Sequence, residues 1–154
     1  MPSVSESIAI RAIAVVDADT AAGLSAELGY PIDAPTMRHR IEALSASADH
    51  GVFVACRGAQ VVGWIHVSVV HHMQSDARAE IGGLVVATDA RSAGIGAQLV
   101  ARAERWAHDS GLLHIVVRSQ IMREAAHRFY LREGYARTKT SAVFAKVLAP
   151  EPEA

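Results

Sequence analysis

The chain lacks the features that several protein classes require. Its 154 residues include a single cysteine, Cys56, which excludes an internal disulfide framework and fits a reducing, cytoplasmic compartment. Cys56 closes the apolar run Val52-Phe53-Val54-Ala55-Cys56, so it is expected as a buried structural thiol. No apolar run approaches the roughly 18 residues of a membrane span, so no membrane partner is expected. The first residues, Met1 to Ser7, carry neither a basic region nor an apolar signal core. Neither sign of charge dominates: the net formal charge is -1, which gives no support for nucleic-acid binding.

Metal and nucleotide motifs are missing too. His71 and His72 are adjacent and point to opposite faces of an extended segment, and no Cys/His quartet accompanies them, so no metal is expected. A P-loop would need Gly, four residues and Gly-Lys before a hydroxyl residue, and that run does not occur. A Rossmann fingerprint would need a third small residue after Gly94-Ile95-Gly96, where Leu99 stands.

What is present is a globular composition, 51% hydrophobic, long enough for one domain over residues 1–149 with a short tail at 150–154. Residues 1–90 hold ten carboxylates and five arginines, whereas residues 91–154 hold six carboxylates and ten lysines and arginines. An acidic half beside a basic half suits a cationic acceptor and an anionic co-substrate.

Periodicity and punctuation order the elements. Ile8–Val16 reads as a strand, Asp17–Leu28 as a helix stopped by Gly29, and Thr36 as the cap of a second helix carrying Met37, Ile41 and Leu44. Val52–Arg57 and Val61–Val70 form a hairpin around Gly58-Ala59-Gln60, and Glu80–Val86 is the next strand. Ile95, Leu99, Val100, Ala103, Trp106 and Ala107 mark one face of a long helix ending at Ser110-Gly111. Leu112–Val117 is a strand expected to be covered on both faces, Arg123–Glu133 a helix, and Ser141–Leu148 a final strand. The expected fold is mixed α/β (α+β), with a mostly antiparallel central sheet of about six to seven strands flanked by about four helices.

The most informative stretch runs from Leu84 to Gly96. An apolar strand ends in a turn, the turn delivers Arg91, and Gly94 and Gly96 open the periodic helix. Glycines admit close backbone approach, and a helix N-terminus offers unpaired N–H groups and a positive dipole end, which suits a phosphate. An ordinary strand-to-helix turn is the plainer reading of that spacing.

The run Glu-Ile-x-x-Leu-x-Val, then Arg91-x-x-Gly94-Ile95-Gly96, is followed at the right distance by Ala126-His127-Arg128-Phe129-Tyr130-Leu131-Arg132-Glu133-Gly134-Tyr135. Together with the element order, this resembles the GNAT superfamily of N-acetyltransferases. The resemblance implies acetyl-CoA as co-substrate, with its pyrophosphate on Arg91, Ser92, Ala93, Gly94, Ile95, Gly96 and Ala97. It implies pantetheine pairing with the backbone of Leu84, Val85 and Val86, and cofactor contacts from Arg123 and Ala126. Two departures from the family pattern bear on the cofactor site. Ser92 and Ala93 replace basic or glycine residues, and Arg123 stands where relatives carry an asparagine, so Arg123 or Arg128 could meet a phosphate instead.

For catalysis the resemblance implies Tyr130 as the acid that protonates the leaving thiolate and Glu80 as the base for the amine. Tyr130 also reads as a core aromatic and Glu80 as a solvated residue opening its strand, while His66 is a further candidate base. Gly82-Gly83 marks a bulge that opens the sheet, or a merely flexible strand. No site residue is an evident acyl carrier, which favours direct attack within a ternary complex. The expected acceptor is a small-molecule amine, polycationic or aminoglycoside-like. A protein or peptide acceptor and a non-catalytic acyl-CoA sensor are the alternatives, and a homodimer is compatible with the chain.

Overall fold

The computed structural model describes residues 7–91, 93–118 and 123–150. These belong to two compact units, residues 1–118 and 119–154.

The first unit is built on a five-stranded sheet of order β1-β2-β3-β4-β5: Ile8–Ala12, His50–Arg57, Gln60–Val70, Arg78–Val86 and Ile115–Val117. The first four strands are antiparallel, and β5 runs parallel to β4 after the crossover through a helix. Among the described residues, three α-helices belong to this unit: α1 (Ala18–Glu27), α2 (Ala34–Ser45) and α3 (Ile95–Asp109).

Alternation along β3 assigns the helices to opposite faces of the sheet. Trp64 packs against the α1/α2 cluster of Ala18, Ala21, Ala22, Met37 and Ile41. Its neighbour Gly63 faces α3, where an added Cβ would lie 3.2 Å from Cδ1 of Leu99. On β2 the same parity sends Gly51 and Phe53 toward α3, under Trp106 and Arg102, and leaves His50, Val52 and Val54 on the α1/α2 face. The expected apolar face of α3 is the core-facing one, with Ile95, Leu99, Val100, Ala103 and Ala107 buried. Cys56 is buried in β2.

Several expectations change. The first strand stops at Ala12, because Asp17 turns inward to chelate the Arg11 guanidinium at 2.8 Å and accepts the Ala14 N–H. Asp33, rather than Thr36, caps α2: its carboxylate accepts the Thr36 N–H at 2.8 Å, with proline in the first turn. The run from Leu112 contributes a strand only over Ile115–Val117, and Leu113 is exposed, because the ladder with β4 reaches only three residues.

The second unit contains α4 (Glu124–Arg132), ended by Gly134 at φ 91°. Among the described residues, Ser141–Leu148 forms no strand, and Val143, Phe144, Val147 and Leu148 are exposed. β-Propensity expresses fit to a neighbouring pleated surface, and no described residue supplies that ladder. The sheet therefore has five strands among the described residues rather than six or seven.

Candidate active site

Arg91 leaves β4 after a single 3-10 turn over Thr88–Ala90, and the chain enters α3 through Gly94 at φ 78°. The left-handed φ explains the glycine, and no atom of the described residues lies within 4 Å of where its Cβ would stand. The first intrahelical bond runs from the Gln98 N–H to the Gly94 carbonyl, and among the described residues no side-chain cap bond closes the end. The N–H groups of Ile95, Gly96 and Ala97 therefore point out of the helix without intrahelical partners, beside the exposed Arg91. This cradle fits a diphosphate. Ala93 lies in the same loop, and Ser92 lies outside the described residues.

Leu84, Val85 and Val86 pair with Ile65, Trp64 and Gly63 of β3. Across the strand, the ladder to β5 involves only Ala79, Glu80 and Ile81. Among the described residues, β4 from Gly82 onward is therefore unpaired on that side, as an extended ligand arm requires. The register slips between His66 and Val67, with His66 opposite Gly83 and Val67 opposite Ile81, so Gly82 is the bulged residue. The expected bulge is real.

A polar file occupies the α1/α2 face here. Glu80 stands opposite Ser68, and one carboxylate oxygen accepts the Arg118 Nε–H at 2.8 Å. Glu80 is three-quarters buried at its side chain, 25% exposed, whereas Arg118 is 55% exposed. His66 shares the face, with its Nε2 2.9 Å from Nδ1 of His50 and the two rings stacked. Burial, and then the charge of His50, hold the His66 imidazolium below its usual value of 6.5. Among the described residues, no group of three His, Cys, Asp or Glu side chains is arranged to hold a metal ion.

In the second unit Tyr130 is half-buried on α4, in edge contact with Phe129 and Tyr135. Burial raises its phenol above the usual 10, partly opposed by the charge of Arg123, so it keeps its proton at neutral pH. Arg123 precedes the first residue of α4, and Ala126 lies in the first turn.

The structure thus assembles Glu80, His66 and the Leu84–Val86 edge around one bulge. It adds two residues that sequence reasoning passed over, His50 and Arg118. Extending the hairpin register straight from Arg57 and Gln60 would set Gly51 opposite His66; the slip between Ala55 and Cys56 instead sets Val52 there and brings His50 onto the same face as His66. Arg118 meets Glu80 across a parallel crossover 38 residues long, for which the sequence carries no register signal.

The aminoalkylphosphonate N-acetyltransferase of Salmonella typhimurium is 41% identical over 83 residues, which is 53% of this chain and 54% of that protein. The match spans about half the length of that relative. The transcriptional regulator from Bacillus halodurans superposes with a TM-score of 0.82 at 23% identity, over 91% of this chain and 100% of that one. The aminoglycoside N-acetyltransferase AAC(6')-Iy in complex with CoA superposes with a TM-score of 0.83 at 17% identity, over 95% and 98% of the two chains. At such identities these likenesses show the fold. The model of the acetyltransferase (GNAT) family matches residues 19–135, and the chain belongs to that family.

Proposed function

We propose that this chain is an acetyl-CoA-dependent N-acetyltransferase acting on the primary amine of a small molecule by direct attack in a ternary complex. The observation that carries this reading is the open N-terminus of α3 beside the edge of β4 that is unpaired among the described residues. The N–H groups of Ile95, Gly96 and Ala97, with Arg91 and the loop of Ser92, Ala93 and Gly94, hold the pyrophosphate. The backbone of Leu84, Val85 and Val86 holds the pantetheine arm. Arg123 and Ala126 contribute further contacts by family resemblance.

An alkylammonium has no lone pair, so the amine must first lose a proton. The groups suited to receive it are His66 and Glu80, in the polar file at the β4 bulge. The amine nitrogen then attacks the thioester carbonyl, the C–N bond forms and the C–S bond breaks. Tyr130 protonates the departing thiolate, for which a phenol that keeps its proton at neutral pH is suited. Residues 1–149 act as one catalytic domain in the cytoplasm.

The acidic balance of residues 1–90 and the kinship with an aminoalkylphosphonate N-acetyltransferase both support a small, polar primary amine as acceptor. The test is thiol release from acetyl-CoA against a panel containing an aminoalkylphosphonate, an aminoglycoside, a polyamine and a peptide with a free N-terminus. Turnover of one or more small amines supports the reading. Turnover confined to the peptide replaces the acceptor class, and tight acetyl-CoA binding without turnover of any amine points to a sensor.

A further inference from the structure

We propose that the stacked pair His50–His66, rather than Glu80, takes the proton from the acceptor amine and passes it to solvent. This rests on the acetyltransferase reading and assigns the base within it. Two neutral imidazoles whose facing nitrogens are 2.9 Å apart share one hydrogen, so one ring donates and the other accepts. With His66 Nε2 so engaged, its second nitrogen, Nδ1, is the outer one. That atom lies over Gly82, where an added Cβ would stand 3.4 Å away. Gly82 is exposed and carries no side chain, so an amine can reach Nδ1 at the bulge, next to the β4 edge that takes the thioester arm.

The charged neighbours favour this choice. From β4 comes Glu80 and from the end of β5 comes Arg118, already joined at 2.8 Å, so one Glu80 oxygen is committed as an acceptor. From β2 comes His50. The side chains that α1 and α2 press onto this face, Ala18, Ala21, Ala22, Met37 and Ile41, are apolar. Burial and His50 both act against the charged form of His66, which leaves its lone pair available at neutral pH.

The proton balance closes. The ammonium gives one proton to Nδ1 of His66, His66 passes its Nε2 proton to Nδ1 of His50, and His50 releases its Nε2 proton to water. Both rings end neutral in the opposite tautomers and return by exchange with solvent. The freed lone pair attacks the carbonyl carbon, a second proton leaves nitrogen as the amide forms, and one proton finishes on the sulfur.

The experiment is the pH profile of kcat/KM for wild type, His66→Gln, His50→Gln and Glu80→Gln, with acetyl-CoA affinity measured by calorimetry and folding by circular dichroism. His66→Gln should lose about 10²-fold or more at pH 7 and lose the acid limb near the histidine range, while approaching wild type above about pH 10, where the amine arrives neutral. His50→Gln should lower the rate and move the limb to higher pH, because the like charge that disfavours His66 protonation is gone. Glu80→Gln should slow turnover and keep the limb. NMR titration should place the His66 imidazole below the ordinary histidine range in wild type and closer to it in His50→Gln. A His66→Gln enzyme that binds acetyl-CoA and retains both the limb and a rate within about threefold of wild type overturns the assignment, as does loss of the limb in Glu80→Gln alone. Failure of the wild-type protein to bind acetyl-CoA overturns the acetyltransferase reading itself, a separate result.

Discussion

A methyl group on Gly83 would lie 2.9 Å from Cζ3 of Trp64, because the indole ring crosses the β4 backbone just beyond its bulge. Trp64 is held from behind by the α1/α2 cluster, so the ring has little room to retreat. Gly83→Ala should therefore destabilise the fold by about 1–3 kcal/mol through overpacking. Gly82→Ala meets only an ordinary contact at 3.4 Å from His66 Nδ1, so stability should change by about 0.5 kcal/mol or less. It should instead raise KM for the amine by crowding the approach to that nitrogen. Urea denaturation of both variants beside their steady-state kinetics checks the contrast.

The cradle at α3 makes a second prediction. Gly94→Val forces a branched residue to φ 78°, and Gly96→Val places one beside the free N–H groups. Both should abolish measurable acetyl-CoA binding in calorimetric titration while the circular dichroism spectrum stays native. Unchanged affinity in both would place the pyrophosphate elsewhere.

Tyr130→Phe removes one O–H and keeps the ring that contacts Phe129 and Tyr135. A fall in kcat of about a hundredfold is expected, with the melting temperature unchanged. A rate within about twofold of wild type, with chemistry limiting turnover, would leave Tyr130 a packing residue.

The Arg11–Asp17 pair governs acid stability. The Arg11 guanidinium, together with the Ala14 N–H, holds the Asp17 carboxyl below its usual 3.8 despite burial. A depressed folded value means that the contribution is complete above about pH 5 and is lost as pH falls through 3.8 and then through the lower folded value. Asp17→Asn should cost about 1–3 kcal/mol at pH 7, and the difference from wild type should shrink toward pH 3. Denaturation midpoints across that range provide the measurement. A gap independent of pH would mean that packing, not charge, is what Asp17 supplies.

Local chemistry alone made much of this protein legible. The apolar period of α3, the glycines that stop α1, α3 and α4, and the β2–β3 hairpin depend on neighbours a few residues apart, and they stand where the sequence places them. The Arg91–Gly96 loop and the Gly82-Gly83 bulge were readable for the same reason, since a left-handed φ or a ladder slip selects glycine wherever it occurs. Tertiary pairing decided the rest. Strand-like composition did not make Ser141–Leu148 a strand, because ladder bonds require a partner backbone. Asp17 ends β1 through a chelated arginine that periodicity does not register. The site's charge pattern comes from strand register: Glu80 meets Arg118 from 38 residues away, and His66 meets His50 through the ladder slip between Ala55 and Cys56. Register sets which side chains share a face, and it is fixed only when the sheet closes.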